Sequence, residues 1–469
     1  MKINLFKLSF IALLCATAPK ICSTQLTITR PGFYQLGEDF LVSPTANGDA
    51  VIRVASSDVT IDFNGHFISQ LNTTQNIAGV FINPALNDIV IQNGLIQNIS
   101  GTGIVVTASD MRIEIINMTF TNCSAAALVA DGTSGTINNL EIRSCIMSGC
   151  CSNGTDRNVV LLSRCNRSRM LDCVLDNTVN TLIGINTQTT QFAMLSLASC
   201  SMCTFKNIWI QNNFFRAFGA TGQIPNVSLI QESGDNNCEF DFVLIRNNQC
   251  FNTGTLGANN RFNGFAAPSV CDSNRYVNCQ IVSNVMANSQ SQDMNGFFGI
   301  WTNSIFDRCF IVSCSATNNL GLNGLRTING SNANVFNGCC AIGNSSFPIT
   351  GATDGFNCPD TNSLFKSCIA AYNTSSVNTS LGFNLPQTPA HVVLYENIAH
   401  RNQGPTNAGS IGFSFSGTRA SLVTRNIAYN NGTIAANQFV NVNSGSQIQI
   451  TSDLIQTVTA PWSNLAISQ

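Results

Sequence analysis

Charge is scarce in this chain. Only 10% of its 469 residues are Asp, Glu, Lys or Arg, and they balance to a net charge of −2. A nucleic-acid partner requires a basic stripe, and this composition supplies none. There are three histidines, His66, His391 and His400, none at ligand spacing to a cysteine pair. That argues against zinc, and no other metal or cofactor is expected. Long apolar runs are missing too. Beyond Leu8 to Ala18 nothing approaches the roughly 18 residues that cross a bilayer, so no membrane span is expected in the mature chain. Past the N-terminus no window of about 12 residues keeps a 3.6-residue period, which excludes a helical fold.

What the chain has is a repeat. Eight stretches align without gaps over nine residues, beginning at Phe205, Phe240, Tyr276, Phe306, Phe336, Phe365, Leu394 and Val423. The fourth place reads Ile208, Val243, Cys279, Cys309, Cys339, Cys368, Asn397, Asn426. The sixth is Ile or Ala throughout, and the ninth is Asn in seven rows and Cys314 in the other. A fixed period with its own chemistry at each place marks a solenoid. Short apolar, β-branched segments such as CFIVSC, set between turn residues, read as strands. Three strands per turn of a parallel β-helix fit this period. Coils stacked about 4.8 Å apart turn each column into a ladder, and stacked Asn amides satisfy one another. Strand-like starts at Val59, Ile89, Ile113, Leu140 and Met170 extend the plan to about 13 coils. Gly followed by an apolar residue recurs from Gly264-Phe265 to Gly412-Phe413 and marks the turn into a second strand.

The opening PGFYQLGEDF, then SDVTIDFNGHFIS and NDIVIQNGLIQN, resembles the start of the right-handed parallel β-helix, pectate-lyase-like repeat family. The resemblance implies an all-β, single right-handed parallel β-helix. The expected organisation is a signal peptide over 1–23, an N-terminal cap over 24–57, the β-helix over 58–450 and a C-terminal cap or tail over 451–469. Lys2 and Lys7 ahead of the apolar run form a secretory signal pattern, so a secreted or cell-surface location is expected.

An exported chain with 18 cysteines beyond that segment invites disulfides. The stacked geometry argues instead for reduced, buried thiols at Cys279, Cys309, Cys339 and Cys368. Cys150-Cys151, Cys339-Cys340 and the pair Cys200 and Cys203 are the better candidates for bridging. Twelve Asn-x-Ser/Thr sequons occur, but Asn344, Asn373 and Asn431 among them fall in the ladder, where a glycan would not fit.

The resemblance leaves activity open, because the fold carries lyases, hydrolases, epimerases and adhesins. Polygalacturonase-type signatures (an Asp-Asp pair, Gly-His-Gly, Arg-Ile-Lys) are missing. The best catalytic candidates are Asp241 and Asp307, two coils apart in the second column, with Arg246 and Arg308 in neighbouring columns; solvated charge on an outer turn is the simpler reading. A further acidic group, Glu232, Asp235 and Asp272, is an alternative. Asp62, Asn64 and His66 in DFNGH read as a junction between cap and first coil. The fifth column, Trp209, Leu244, Gln280, Phe310, Cys340, Ile369, Ile398 and Ile427, is largely apolar, and burial by a long turn is the favoured account. The expected function is a non-catalytic protein that binds a polysaccharide or another cell's surface. The alternatives are a polysaccharide lyase, glycoside hydrolase or epimerase, and an oligomeric structural surface protein. Grooved aromatics and Asn would favour binding; three ionisable groups in one groove would favour an enzyme.

Overall fold

The computed structural model describes residues 12–13, 20–22 and 464–467 and, between 25 and 451, the strands and short bends but not several longer loops, such as 184–190, 219–225, 253–260 and 432–438. No helix occurs among the described residues, and every strand pairing is parallel. The chain divides into two compact units, 1–178 and 179–469.

The coils of the second unit build three sheets, the third of them only as far as Ser375 among the described residues. The first sheet holds the repeat rows in the expected register, with Phe205 opposite Phe240, then Tyr276, Phe306, Phe336, Phe365, Leu394 and Val423. Their rings stack in a file, Phe336 on Phe365 at 4.5 Å and Tyr276 on Phe306 at 4.6 Å. The second sheet carries the Gly-apolar marker, with Phe265, Phe297, Leu325, Phe356, Phe383 and Phe413 in register and inward. The glycines before them permit close coil contact. A Cβ on Gly324 would lie 2.5 Å from the Gly355 carbonyl oxygen and 2.7 Å from Ala341 Cβ. The third sheet runs from Val179–Ile183 to Thr374–Ser375.

The ninth column is internal. Asn213 donates to Asn248 (2.8 Å) and Asn248 to Asn284 (2.9 Å); beyond Cys314 the file resumes as Asn344, Asn373, Asn402 and Asn431 at 2.8 to 3.0 Å. A second buried file, Asn263, Asn295 and Asn323, lines the second sheet. The 18 cysteines from Cys123 to Cys368 are all buried and unbridged, including each pair named above.

The fifth column corrects the sequence reading. It faces outward: Trp209 is 45% exposed, and Phe310, Ile369, Ile398 and Ile427 are half-buried, while Cys340 is buried. The cause is a single-residue bend. Every third-place residue, from Asn207 to Arg425, has φ between +52 and +61°, and every eighth-place residue between +50 and +66°. One left-handed residue resets the in–out alternation. Places one, four, six and nine then all point inward, and five and seven point out.

In the first unit Val59, Ile89, Ile113 and Leu140 align as expected. Met170 does not, since it pairs with Ile142. The place opposite Leu140 belongs to Ser168, whose hydroxyl accepts the Leu140 N–H at 3.2 Å. Parallel pairing begins early: Leu26–Ile28 pairs with Ala50–Val54, and Lys20–Cys22 with Phe40–Val42.

Candidate functional site

A groove lies on the first unit, where two coils differ in length. Val59 pairs with Ile89 and Phe67 with Leu95. Four residues, Phe63 to His66, therefore face two, Asn93 and Gly94. The two extra residues form a turn in which Asn64 and Gly65 are left-handed (φ 51° and 82°) and Asn64 N–H donates to Asp62 Oδ1 at 2.7 Å. Phe63 folds inward and is fully buried. Its ring takes the space where a side chain on Gly94 would stand, since a Cβ there would lie 2.1 Å from Phe63 Cβ.

Around this step lies an open groove of about 520 Å³, lined by Asp62, Asn64, Gly65, Asn93, Gly94, Leu95, Asn117 and Thr119. Asp62 accepts from Gln92 at 2.9 Å and Asn93 at 3.3 Å, and Asn117 donates to Asn93 Oδ1 at 3.1 Å. Carboxylate and amides thus climb three consecutive coils, about 4.8 Å apart. His66 Nδ1 lies 3.1 Å from Asp39, beside the turn rather than in the lining. The junction reading of DFNGH is therefore incomplete. Gly94→Ala should unseat Phe63, cost about 1 to 3 kcal/mol as overpacking does, and reshape the groove. Thermal denaturation together with a structure of the variant checks this.

Asp241 and Asp307 sit in one column with Val277 between them, and the fold does not bring them into contact. Each has its own partners. Asp241 pairs with Lys206 at 3.3 Å and accepts from Asn278 at 3.4 Å. Asp307 pairs with Arg308 at 3.2 Å and accepts from Asn337 at 2.7 Å. Arg246 donates to Gln211 at 2.9 Å and lies 5.9 Å from the Trp209 ring centre. Exposed pairs of this kind contribute little to stability.

The acidic alternative does not form a surface site. Glu232 and Asp235 are fully buried, and only Asp272 reaches the outer edge, where Thr302 and Asn303 donate to it at 2.7 and 2.9 Å and hold its carboxyl below the usual range. Inside, Trp301 donates to the Tyr276 hydroxyl at 2.9 Å, which donates to Glu232 at 2.8 Å, and Asn274 donates to Glu232 at 3.0 Å. Burial and the neighbouring Asp235 push the Glu232 carboxyl well up. Burial pushes Asp235 up to about 7, against donation from the Cys200 and Ser233 N–H groups. Oxygens of these two and the Cys271 sulfur lie within 4.8 Å of one another. The raised carboxyls favour the neutral form, which is a poor metal ligand.

No known family matches the sequence, and no curated protein is similar to it in sequence. Among solved structures the chain is similar to ORF18 of Geobacillus virus E2, with a TM-score of 0.37 and 11% identity over 68% of this chain; it spans about half (54%) of that protein. It is also similar to the A-module of mannuronan C-5 epimerase AlgE6 from Azotobacter vinelandii, with a TM-score of 0.35 and 12% identity over 86% of this chain and 90% of that one. A mutant tailspike protein of E. coli bacteriophage HK620, in complex with a hexasaccharide, gives 0.35 and 11% over 84% and 73%. Likenesses at this level carry no argument about activity. The assignment of fold rests on the strand register itself: coil upon coil paired in parallel, this chain is a right-handed parallel β-helix protein.

Proposed function

We propose that the chain is an exported protein, secreted or held at the cell surface, that binds a polysaccharide without cleaving it. The groove on the first unit supports this reading. Its volume lies in the range of ligand sites. Its lining of one carboxylate, three Asn amides and a Thr hydroxyl offers donors and acceptors for sugar hydroxyls. Hydrolysis of a glycosidic bond calls for a pair of carboxyl groups across the bond, and Asp62 is the only ionisable residue in the lining. A hydrogen bond to a charged group contributes roughly 1.5 to 3 kcal/mol. Asp62→Ala is therefore expected to weaken binding about 10- to 100-fold, with Asn93→Ala weakening it in the same direction. Calorimetry with pectin, alginate, glycosaminoglycan and exopolysaccharide fragments measures it. New reducing ends or unsaturated products that vanish in Asp241→Asn or Asp307→Asn would instead establish a hydrolase or a lyase, and a changed ratio of uronate epimers lost in the same variants would establish an epimerase.

The outward apolar residues Phe310, Ile369, Ile398 and Ile427 of the fifth column favour a second reading, assembly of several copies through a flat apolar flank. Sedimentation of the intact chain and of Ile369→Lys distinguishes it: assembly lost in the variant supports a structural role.

A further inference from the structure

The left-handed bends carry residues suited to them, with Asn, Ser and Gly recurring and exposed Arg and Glu reaching into solvent. Two aromatic residues break the pattern, Tyr372 in the eighth column and Phe242 in the third. Phe242 holds φ 54° in a column where the coils on either side place Asn207 and Asn278. A bulky side chain in this conformation is an outlier, and such outliers gather where a protein binds something. Core packing does not account for it, because Phe242 is 51% exposed. Its diagonal neighbour is a second exposed ring. Trp209, one coil below, pairs with Leu244, two places on from Phe242, and is 45% exposed.

The polar groups around the two rings carry both signs and already pair among themselves. Lys206 meets Asp241, and Arg246 meets Gln211. Lys206 and Asp241 offset one another, and Arg246 beside the neutral Gln211 leaves a net charge of +1, too little to select a strongly charged macromolecule. Two aromatic faces bordered by donors and acceptors suit a ligand with an apolar face and a rim of hydroxyls, which describes a pyranose ring. We propose that Trp209 and Phe242 form a stacking platform for the sugar rings of a polysaccharide, with Lys206, Asp241 and Arg246 meeting the ring hydroxyls. Asp241 and Arg246 then serve binding rather than catalysis. This inference rests on the polysaccharide-binding reading but uses a site on the other unit.

The test uses the full chain and three probes, cellohexaose, chitohexaose and a mannuronate hexamer, with affinity followed by calorimetry and stability by thermal denaturation. Phe242→Asn continues the column of Asn207 and Asn278. It is expected to raise the melting midpoint, by relieving the bend, and to weaken hexamer binding at least about 10-fold. Trp209→Ala should weaken binding similarly. A purely structural Phe242 would give the opposite pair of results, a lower midpoint with binding intact, and would overturn the proposal. Binding lost in Asp62→Ala but kept in both aromatic variants also overturns it and leaves the groove as the site. Binding lost in the aromatic variants but kept in Asp62→Ala supports the platform and overturns the groove. No binding of any hexamer to the intact chain overturns both.

Discussion

Asn373→Leu is expected to cost about 3 to 6 kcal/mol, a large part of the stability of a typical domain. Asn373 Nδ2 donates to Asn402 Oδ1 at 2.8 Å and to the Ala341 carbonyl at 3.0 Å, and its Oδ1 accepts from Asn344 Nδ2 at 3.0 Å and Asn344 N–H at 3.3 Å. Leucine is close in volume, so the loss is polar rather than steric. It strips partners from coils above and below inside the buried core, and each orphaned group costs about 1 to 3 kcal/mol. Some relief remains, because Asn344 Nδ2 still reaches the Ile311 carbonyl at 3.2 Å. Urea denaturation of the variant beside the parent measures the effect. A midpoint unmoved by the change would mean that the file contributes no net stability.

The ladder was legible because stacking repeats the same chemistry at the same place in every coil. Asn at the ninth place and Phe at the first declare themselves column by column, with no knowledge of the bends between them. The bends were harder to read. The left-handed conformation favours Asn and Gly, yet Arg308, Glu396, Phe242 and Tyr372 adopt it here, so identity alone does not mark them. Their five-residue spacing is a signal available in the sequence, and it would have placed the fifth column outside. The Met170 slip has the same origin: Ser168 fills a place that an apolar residue fills elsewhere.

The site was harder still. Asp62 and Asn64 stand out in the motif, but the groove exists because one coil is two residues longer than the next, and that difference emerges only once Phe67 is set against Leu95. Glu232 and Asp235 misled in the other direction. Charge in a sequence reads as surface, and what satisfies these two inside is a polar niche in which Tyr276 and Asn274 from later coils donate to Glu232 while the Cys200 and Ser233 N–H groups donate to Asp235.

That niche makes the protein more stable in mild acid than above neutrality. In the unfolded chain Asp and Glu titrate near 4. In the folded chain burial holds Asp235 up to about 7, does the same to Asp354 despite donation from Asn384 and Asn357, and pushes Glu232 well up too. A raised folded-state value means that the native protein keeps protons the unfolded chain releases. The stabilisation is full below about pH 4, where both states are protonated, and is lost as pH climbs to 7 and beyond. Three units on one aspartate correspond to about 4 kcal/mol, an upper bound for each because local opening admits water. Urea midpoints should therefore fall between pH 5 and pH 8. Asp272, held low at the surface, opposes this only slightly, because its window closes below pH 4. Asp235→Asn and Asp354→Asn keep an oxygen for the N–H donors and lose the titration, so the fall should flatten in each variant and most in the double. Equal midpoints at both pH values in the parent, or a rise toward pH 8, would show that these carboxyls are ionised in the core and held by a cation, with the Glu232, Asp235 and Cys271 cluster the place to look for it.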